Sequence, residues 1–225
     1  ARQTLPSELA TLIYTSGTTG QPKGVMLSHA NLHANTYQSM ACLPIGPADR
    51  VLSWLPLSHA FERTAGHFLM WAAGVQIGYT EGVDLVARDM TEVQPTIMTG
   101  VPRLFEKFYD AVVAAVEEGG AAKKAGFRLA KRFGDLHSTQ RLAGKKPGLV
   151  LRAGYRLCDK IVFSKLRART GGRIRFFVSG AAPLSPEIAR FFYSGGLTIL
   201  EGYGLTETSP VTNVNLTGDI RFGTV

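Results

Sequence analysis

Short apolar runs alternate with helical patterns along most of the chain. LATLIY (9–14), RVLSWL (50–55), VQIGY (75–79), TIMTG (96–100), RIRFFVSG (173–180) and LTILEGYG (197–204) are rich in Ile, Val and aromatics and predict strands. Between them, SHANLHANTYQSMA (28–41), ERTAGHFLMWAA (62–73), DLVARDMTEV (84–93) and SPEIARFFYS (185–194) carry helical spacing. Ser28 and Ser185 are placed to cap the first and last of these helices, and Pro186 suits a first helical turn. From residue 101 to 170 the pattern is nearly all helical, broken at Gly119-Gly120 and at GKKPG (144–148). Leu104, Phe108, Val112 and Ala115 repeat every three to four residues, as a buried helix face does. Strand–helix alternation of this kind predicts an α/β fold with a largely buried sheet flanked by helices. Ligands in such folds gather beyond the carboxyl ends of the strands. No internal repeat, low-complexity tract or linker interrupts the 225 residues.

Composition narrows the class. Apolar residues make up 45% of the chain, a globular rather than disordered balance. The longest apolar stretch, FLMWAAGVQIGY (68–79), is too short to span a bilayer. The opening ARQTLPSELA lacks a secretory signal pattern, and Cys42 and Cys158 form no metal-binding or disulfide framework. The expected compartment is therefore the reducing cytoplasm. The net charge of +8 is concentrated in residues 121–175, which hold sixteen Lys and Arg against two Asp. Such a stretch is either a solvated helical face or a surface for anionic lipid head groups or another polyanion. Nucleic acid is the weakest fit, since neither zinc-ligand spacing nor an RNP-type aromatic pattern accompanies the charge.

Four loops carry candidate chemistry. YTSGTTGQPKGV (14–25) follows a strand and combines three glycines, the hydroxyls of Thr15, Ser16, Thr18 and Thr19, and Lys23. Glycines let backbone N–H groups converge on an anion, and the hydroxyls and the lysine add donors and charge. A Gly/Thr-rich turn alone is commonly only a turn, but hydroxyls and a lysine together point to a phosphate cradle. It is not a Walker A loop, because Gly20 is followed by Gln-Pro-Lys-Gly. VSGAAPLSPEI (178–188) ends a strand on Gly180, where Ala181 and Ala182 would admit a planar ring, or simply form a tight turn. EGYGLTETSP (201–210) offers Tyr203 for stacking, Thr206 as a hydroxyl donor and Glu207 as a hard oxygen ligand for Mg²⁺. WLPLSHAFERTAG (54–66) places His59 after a strand end, either as a structural residue or near the chemistry.

In this order and spacing, the four segments resemble the adenylate-forming superfamily of acyl-CoA synthetases, peptide-synthetase adenylation domains and luciferases. YTSGTTGQPKGV is similar to its phosphate-binding signature and YGLTET to the signature that closes over adenine and binds Mg²⁺. VPRLFEKFYD (101–110), the segment 159–192 and ILEGYGLTETSPVTNVN (199–215) resemble the long-chain fatty-acyl-CoA synthetase branch. The resemblance implies ATP-dependent activation of a long-chain fatty acid to an acyl-adenylate, then thioester formation with coenzyme A. It implies that Thr15, Ser16, Gly17, Thr18, Thr19, Gly20 and Lys23 hold the β- and γ-phosphates, and that Glu207 and Thr15 hold Mg²⁺. Thr206 would contact the α-phosphate, Tyr203 and Gly204 the adenine, Gly180, Ala181 and Ala182 the base and acyl pocket, and His59 the acyl carboxylate. ATP, fatty acid and coenzyme A are the implied small-molecule partners.

The expected domain is the central portion of the large AMP-binding domain, with 102–172 a mainly helical, basic insertion. By the resemblance, a preceding subdomain, a ribose-binding aspartate, a hinge and a small C-terminal domain with its lysine fall outside the sequence, so the 225 residues alone are expected to lack ligase activity. A non-catalytic nucleotide- or acyl-binding fragment, and a fatty-acyl-AMP ligase with another acceptor, remain as alternatives. Since long-chain fatty acids partition into membranes, the basic stretch 121–175 is expected to favour peripheral docking at the inner face of a membrane.

Overall fold

The computed structural model describes residues 3–16 and 21–225. Its centre is a six-stranded sheet in the order β4 (Gln76–Tyr79), β3 (Arg50–Ser53), β5 (Ile97–Gly100), β6 (Phe176–Ser179), β7 (Thr198–Gly204) and β8 (Val211–Val214). Every pairing is parallel except β7 with β8. The chain is thus an α/β protein with a parallel-rich sheet flanked by helices. Parallel strands are buried on both faces, and β5 and β6 read as unbroken buried runs.

Alternate strand residues feed two cores. Leu52, Met98, Phe177 and Ile199 face one side, where α3 (Val86–Val93), α4 (Pro102–Glu117), α7 (Ser164–Arg169) and α8 (Pro186–Ser194) contribute to the packing. Phe105 on α4 is fully buried there, edge-on to Phe177 at 5.3 Å and to Phe192 at 5.9 Å between ring centroids. Leu104 is buried and Phe108 and Val112 pack against the same core, so the helix face legible in the sequence is the inward one. Val51, Ile97, Phe176, Val178 and Leu200 face the other side, against α2 (Leu69–Ala72) and residues of α1 (His29–Cys42).

The sequence pattern and the structure differ locally. The helix expected over 62–73 opens as a π-helical turn, Glu62–Phe68, before running into α2. Two strands were not legible. Lys23–Ser28 forms β2, an antiparallel hairpin with β1 (Leu9–Thr15), and β8 adds an edge strand after the YGLTET loop. Ser28 caps α1 by accepting the Asn31 N–H at 3.2 Å. Ser185 occupies the cap position of α8, but its side chain makes no capping bond, so the contribution there is positional only. Within 102–172, expected to be mainly helical, the chain forms α4, α5 (Ala121–Leu142), α6 (Leu149–Cys158), a π-turn (Asp159–Phe163) and α7.

At the amino ends of the strands a polar clamp fixes the register. Asp49 accepts both oxygens' worth of bonds from Arg175 Nη1, at 2.6 and 2.7 Å, and takes Thr96 Oγ1 at 2.7 Å and the Gly46 N–H at 3.0 Å. These residues lie just before β3, β5 and β6, so one carboxylate ties three strands together. Burial pushes the Asp49 carboxyl up, but the bonds from Arg175, Thr96 and Gly46 outweigh it and hold it below the ordinary value of 3.8. A lowered folded pKa gives stability that is complete above the unfolded value and fades as pH falls through the folded one. Asp49→Asn should cost about 1–2 kcal/mol at neutral pH, Arg175 being partly screened by solvent. Urea unfolding across pH should show that cost shrinking below the ordinary carboxylate range; a cost independent of pH would contradict the charged clamp.

Candidate active site

Beyond the carboxyl ends of the strands lies a narrow cavity of about 70 Å³. Its walls are mainly apolar, with Leu43, Phe61, Leu69, Met70, Val178 and Val214 among them. Of the residues singled out from the sequence, it brings together His59, Gly180, Ala181, Tyr203, Gly204 and Thr206. Ala182, Glu207, Thr15, Ser16 and Lys23 are not among its lining residues. Gly17, Thr18, Thr19 and Gly20 lie outside the described residues.

Local backbone geometry explains the composition of the loops. Gly180 follows β6 and lies against Phe61; a Cβ there would sit 3.0 Å from the aromatic ring. Ala181 then turns in the left-handed region at φ 70°, an uncommon conformation for a residue with a side chain. At Gly204 a Cβ would run into the Pro210 carbonyl, so the chain can fold back into β8 only with glycine at this position. Between them, Thr206–Thr208 forms a single 3₁₀ turn that exposes Glu207.

This turn is anchored from α1. The side chain of buried Asn35 donates to the Val211 carbonyl at 2.7 Å and to the Thr208 carbonyl at 3.3 Å, and accepts the Val211 N–H at 3.1 Å. Sequence reasoning passed over Asn35. A polar residue within an otherwise polar helix gives no signal of its own, because its partners lie about 175 residues away. The 3₁₀ turn also packs near β2, the strand that starts at Lys23. In the hairpin, Thr15 is the register partner of Lys23, so these two residues stand side by side. Arg63 joins hairpin to sheet domain through Thr11 Oγ1 at 2.6 Å and the Leu57 carbonyl at 2.8 Å.

His59 sits exposed at the cavity wall. Its Nδ1 accepts the Phe61 N–H at 3.2 Å, which puts the proton of the neutral ring on Nε2. Half-exposed Tyr203 leaves its ring free for a ligand. Neither Lys23 nor Glu207 is engaged in an ion pair among the described residues, so both keep their charge available. No cluster of three or more His, Cys, Asp or Glu suited to a metal occurs among the described residues. That donor set fits Mg²⁺ in one way: a single carboxylate completed by ligand phosphates, as Mg²⁺ is commonly held.

The whole chain, residues 1–225, matches the family described as AMP-binding enzyme. The chain belongs to that family. It is 40% identical over 223 residues to long chain acyl-CoA synthetase 7, peroxisomal, of Arabidopsis thaliana, which covers 98% of this chain and 30% of that protein. The long-chain-fatty-acid–CoA ligase FadD15 of Mycobacterium bovis is 37% identical over 218 residues, covering 96% of this chain and 36% of its own length. The chain thus spans about a third of the length of these relatives. In fold it is similar to the N-terminal domain of FACL13 from Mycobacterium tuberculosis, with a TM-score of 0.60, 18% identity, and coverage of 92% of this chain and 39% of that one. Within the AMP-binding family, the relatives at this level of identity fall in the long-chain fatty-acyl-CoA synthetase branch.

Proposed function

We propose that the chain builds the adenylation pocket of a long-chain fatty-acid–CoA ligase that forms AMP. The observation that carries this reading is the cavity itself. One mainly apolar cavity opens beside the Tyr203 ring, His59 and Thr206 at the strand ends of an AMP-binding fold. The names of the relatives, long chain acyl-CoA synthetase and long-chain-fatty-acid–CoA ligase, support the substrate class.

In this reading the fatty-acid carboxylate attacks the α-phosphorus of ATP, pyrophosphate leaves, and the acyl-adenylate then passes its acyl group to the thiol of coenzyme A, releasing AMP. Positioning and charge neutralisation do most of such work. Tyr203 stacks on the adenine while Gly180, Ala181 and Ala182 let the base approach the backbone. Thr206 donates to the α-phosphate. Thr15, Ser16, Gly17, Thr18, Thr19, Gly20 and Lys23 hold the β- and γ-phosphates. His59, with its Nε2 proton, meets the acyl carboxylate. Glu207 with Thr15 would hold Mg²⁺, which when bound neutralises phosphate charge. Leu43, Leu69, Met70 and Val178 enclose the start of the acyl chain. A fatty-acyl-AMP ligase would share all of this and differ only in the acceptor, and a binding fragment would retain the ligands without turnover.

Lys23→Ala should weaken binding of ATP about tenfold, the loss of one charge-assisted phosphate contact, and leave fatty-acid affinity unchanged. Titration of a fluorescent ATP analogue, competed with ATP, measures this. Unaltered ATP affinity would remove the hairpin loop from the phosphate site.

Membrane docking is a separate part of the proposal. No helix among the described residues is long and apolar enough to cross a membrane. On α6 and the π-turn after it, however, Leu149 and Val150 are 81% and 83% exposed, and Leu157 and Ile161 lie on the same outward side, with Arg152, Arg156 and Lys160 beside them. An apolar stripe edged with cations suits peripheral attachment to anionic lipid, on the inner face of a membrane. Sedimentation with phosphatidylserine vesicles should show binding that falls with salt and with Leu149→Ser/Val150→Ser. No binding, or binding indifferent to both, would contradict it.

A further inference from the structure

The roles above leave out the most completely buried ionisable group of the site. Glu62 opens the π-helical turn and has no exposed surface. Its Oε1 accepts Ser53 Oγ at 2.6 Å and its Oε2 accepts Thr99 Oγ1 at 2.7 Å. Ser53 ends β3 and Thr99 lies one residue from the end of β5, on adjacent parallel strands in which Val51 is the register partner of Ile97. The same alternation that sends Val51 and Ile97 toward α1 and α2 sends Ser53 and Thr99 toward the π-turn. Thr99 is also a wall of the cavity, and Phe61, Ala65 and Leu69, which flank Glu62 along the turn, form more of that wall. The carboxyl therefore stands directly behind the cavity, bridging its strand side to its helix side.

On its other side the carboxyl meets Gly66, four residues on. A Cβ at Gly66 would lie 2.5 Å from both Cδ and Oε1 of Glu62. Only a residue without a side chain fits there while Glu62 keeps its two hydroxyl partners. Burial raises the Glu62 carboxyl above its ordinary value, against the hydrogen bonds from Ser53, Thr99 and the Trp54 backbone. A group so costly to bury, in a π-turn next to a cavity, is more than packing material; aliphatic side chains would fill the space at lower cost.

We infer that Glu62 and Gly66 act as a matched pair that positions the acyl chain: together they set how far the π-turn stands off the strand ends, and so the width of the cavity behind Thr99. Glu62 acts through Phe61, Ala65 and Thr99 and touches no reacting atom, so it is a positioning residue that tunes which acyl chains fit. This inference rests on the acyl-pocket reading.

The test compares Glu62→Gln, Glu62→Ala, Gly66→Ala and the double variant Glu62→Ala/Gly66→Ala in the full chain. Each is titrated with long- and medium-chain saturated fatty acids by displacement of a fluorescent fatty acid, and separately with ATP, after thermal melting establishes that it is folded. Glu62→Ala should weaken long-chain binding about tenfold, change the preference between long and medium chains, and alter ATP affinity less than about twofold. Gly66→Ala should do the same. The double variant should recover most of the loss, because the added methyl occupies volume that the carboxyl left, and Glu62→Gln, with the same shape, should stay within about threefold of the wild type. Should Gly66→Ala fail to fold, Glu62→Ala against the double variant carries the comparison. Equal effects on fatty acid and ATP, no effect on either, or a double variant no better than Glu62→Ala would overturn the inference. A wild-type chain that binds ATP but no fatty acid would instead overturn the acyl-pocket reading, and that result is visible before any variant is made.

Discussion

The inner strands β3, β5 and β6 of the central sheet are buried on both faces, which drives polar side chains toward their two ends. Each end of β3 and β5 is held by one carboxylate. At the amino ends Asp49 takes a guanidinium, a hydroxyl and a backbone N–H and stays charged. At the carboxyl ends Glu62 takes two hydroxyls in a site with no solvent. The first clamp aligns the strands; the second keeps a helical turn at a fixed distance above them. The cavity is the space that this second arrangement leaves open between Phe61, Thr99 and the loop after β6.

Around that opening, three segments distant in sequence are each tied to the frame by one residue. Asn35 holds the turn that carries Thr206 and Glu207, Arg63 holds the hairpin that carries Thr15 and Lys23, and Phe61 lies against Gly180. The residues proposed to touch phosphate and metal, Lys23 and Glu207, have no ion-pair partner among the described residues. Rigid placement by buried contacts and free charge at the rim are what a site needs when most of its work is holding a polyanion in line.

The α/β architecture was legible because its strongest signals are local. Ile/Val-rich runs ending on glycine became β5, β6 and β7, and the three-to-four spacing of Leu104, Phe108 and Val112 became the inner face of α4. The short strands were not. KGVMLS begins at a glycine-rich loop and VTNV is only partly buried, so neither shows a clear period-two pattern until its partner strand is known. The π-turn escaped notice because its wider spacing matches no simple helical period. Of the site, the loop motifs pointed to His59, Gly180, Tyr203 and Thr206, since unusual residue types cluster there. Glu62 and Asn35 gave no such signal. Glu62 reads like a solvated residue in the first turn of a helix, and only Ser53 and Thr99, brought in by two separate strands, make it a buried group.

The central claim is that one cavity holds an acyl chain and an adenylate together. Calorimetric titration of the folded chain with a non-hydrolysable long-chain acyl-adenylate analogue, beside Tyr203→Ala, tests it most directly. The account predicts saturable binding at one site, weakened about three- to tenfold when the stacking ring is removed. Folded protein that takes up no analogue, or takes it up equally well without Tyr203, would contradict it.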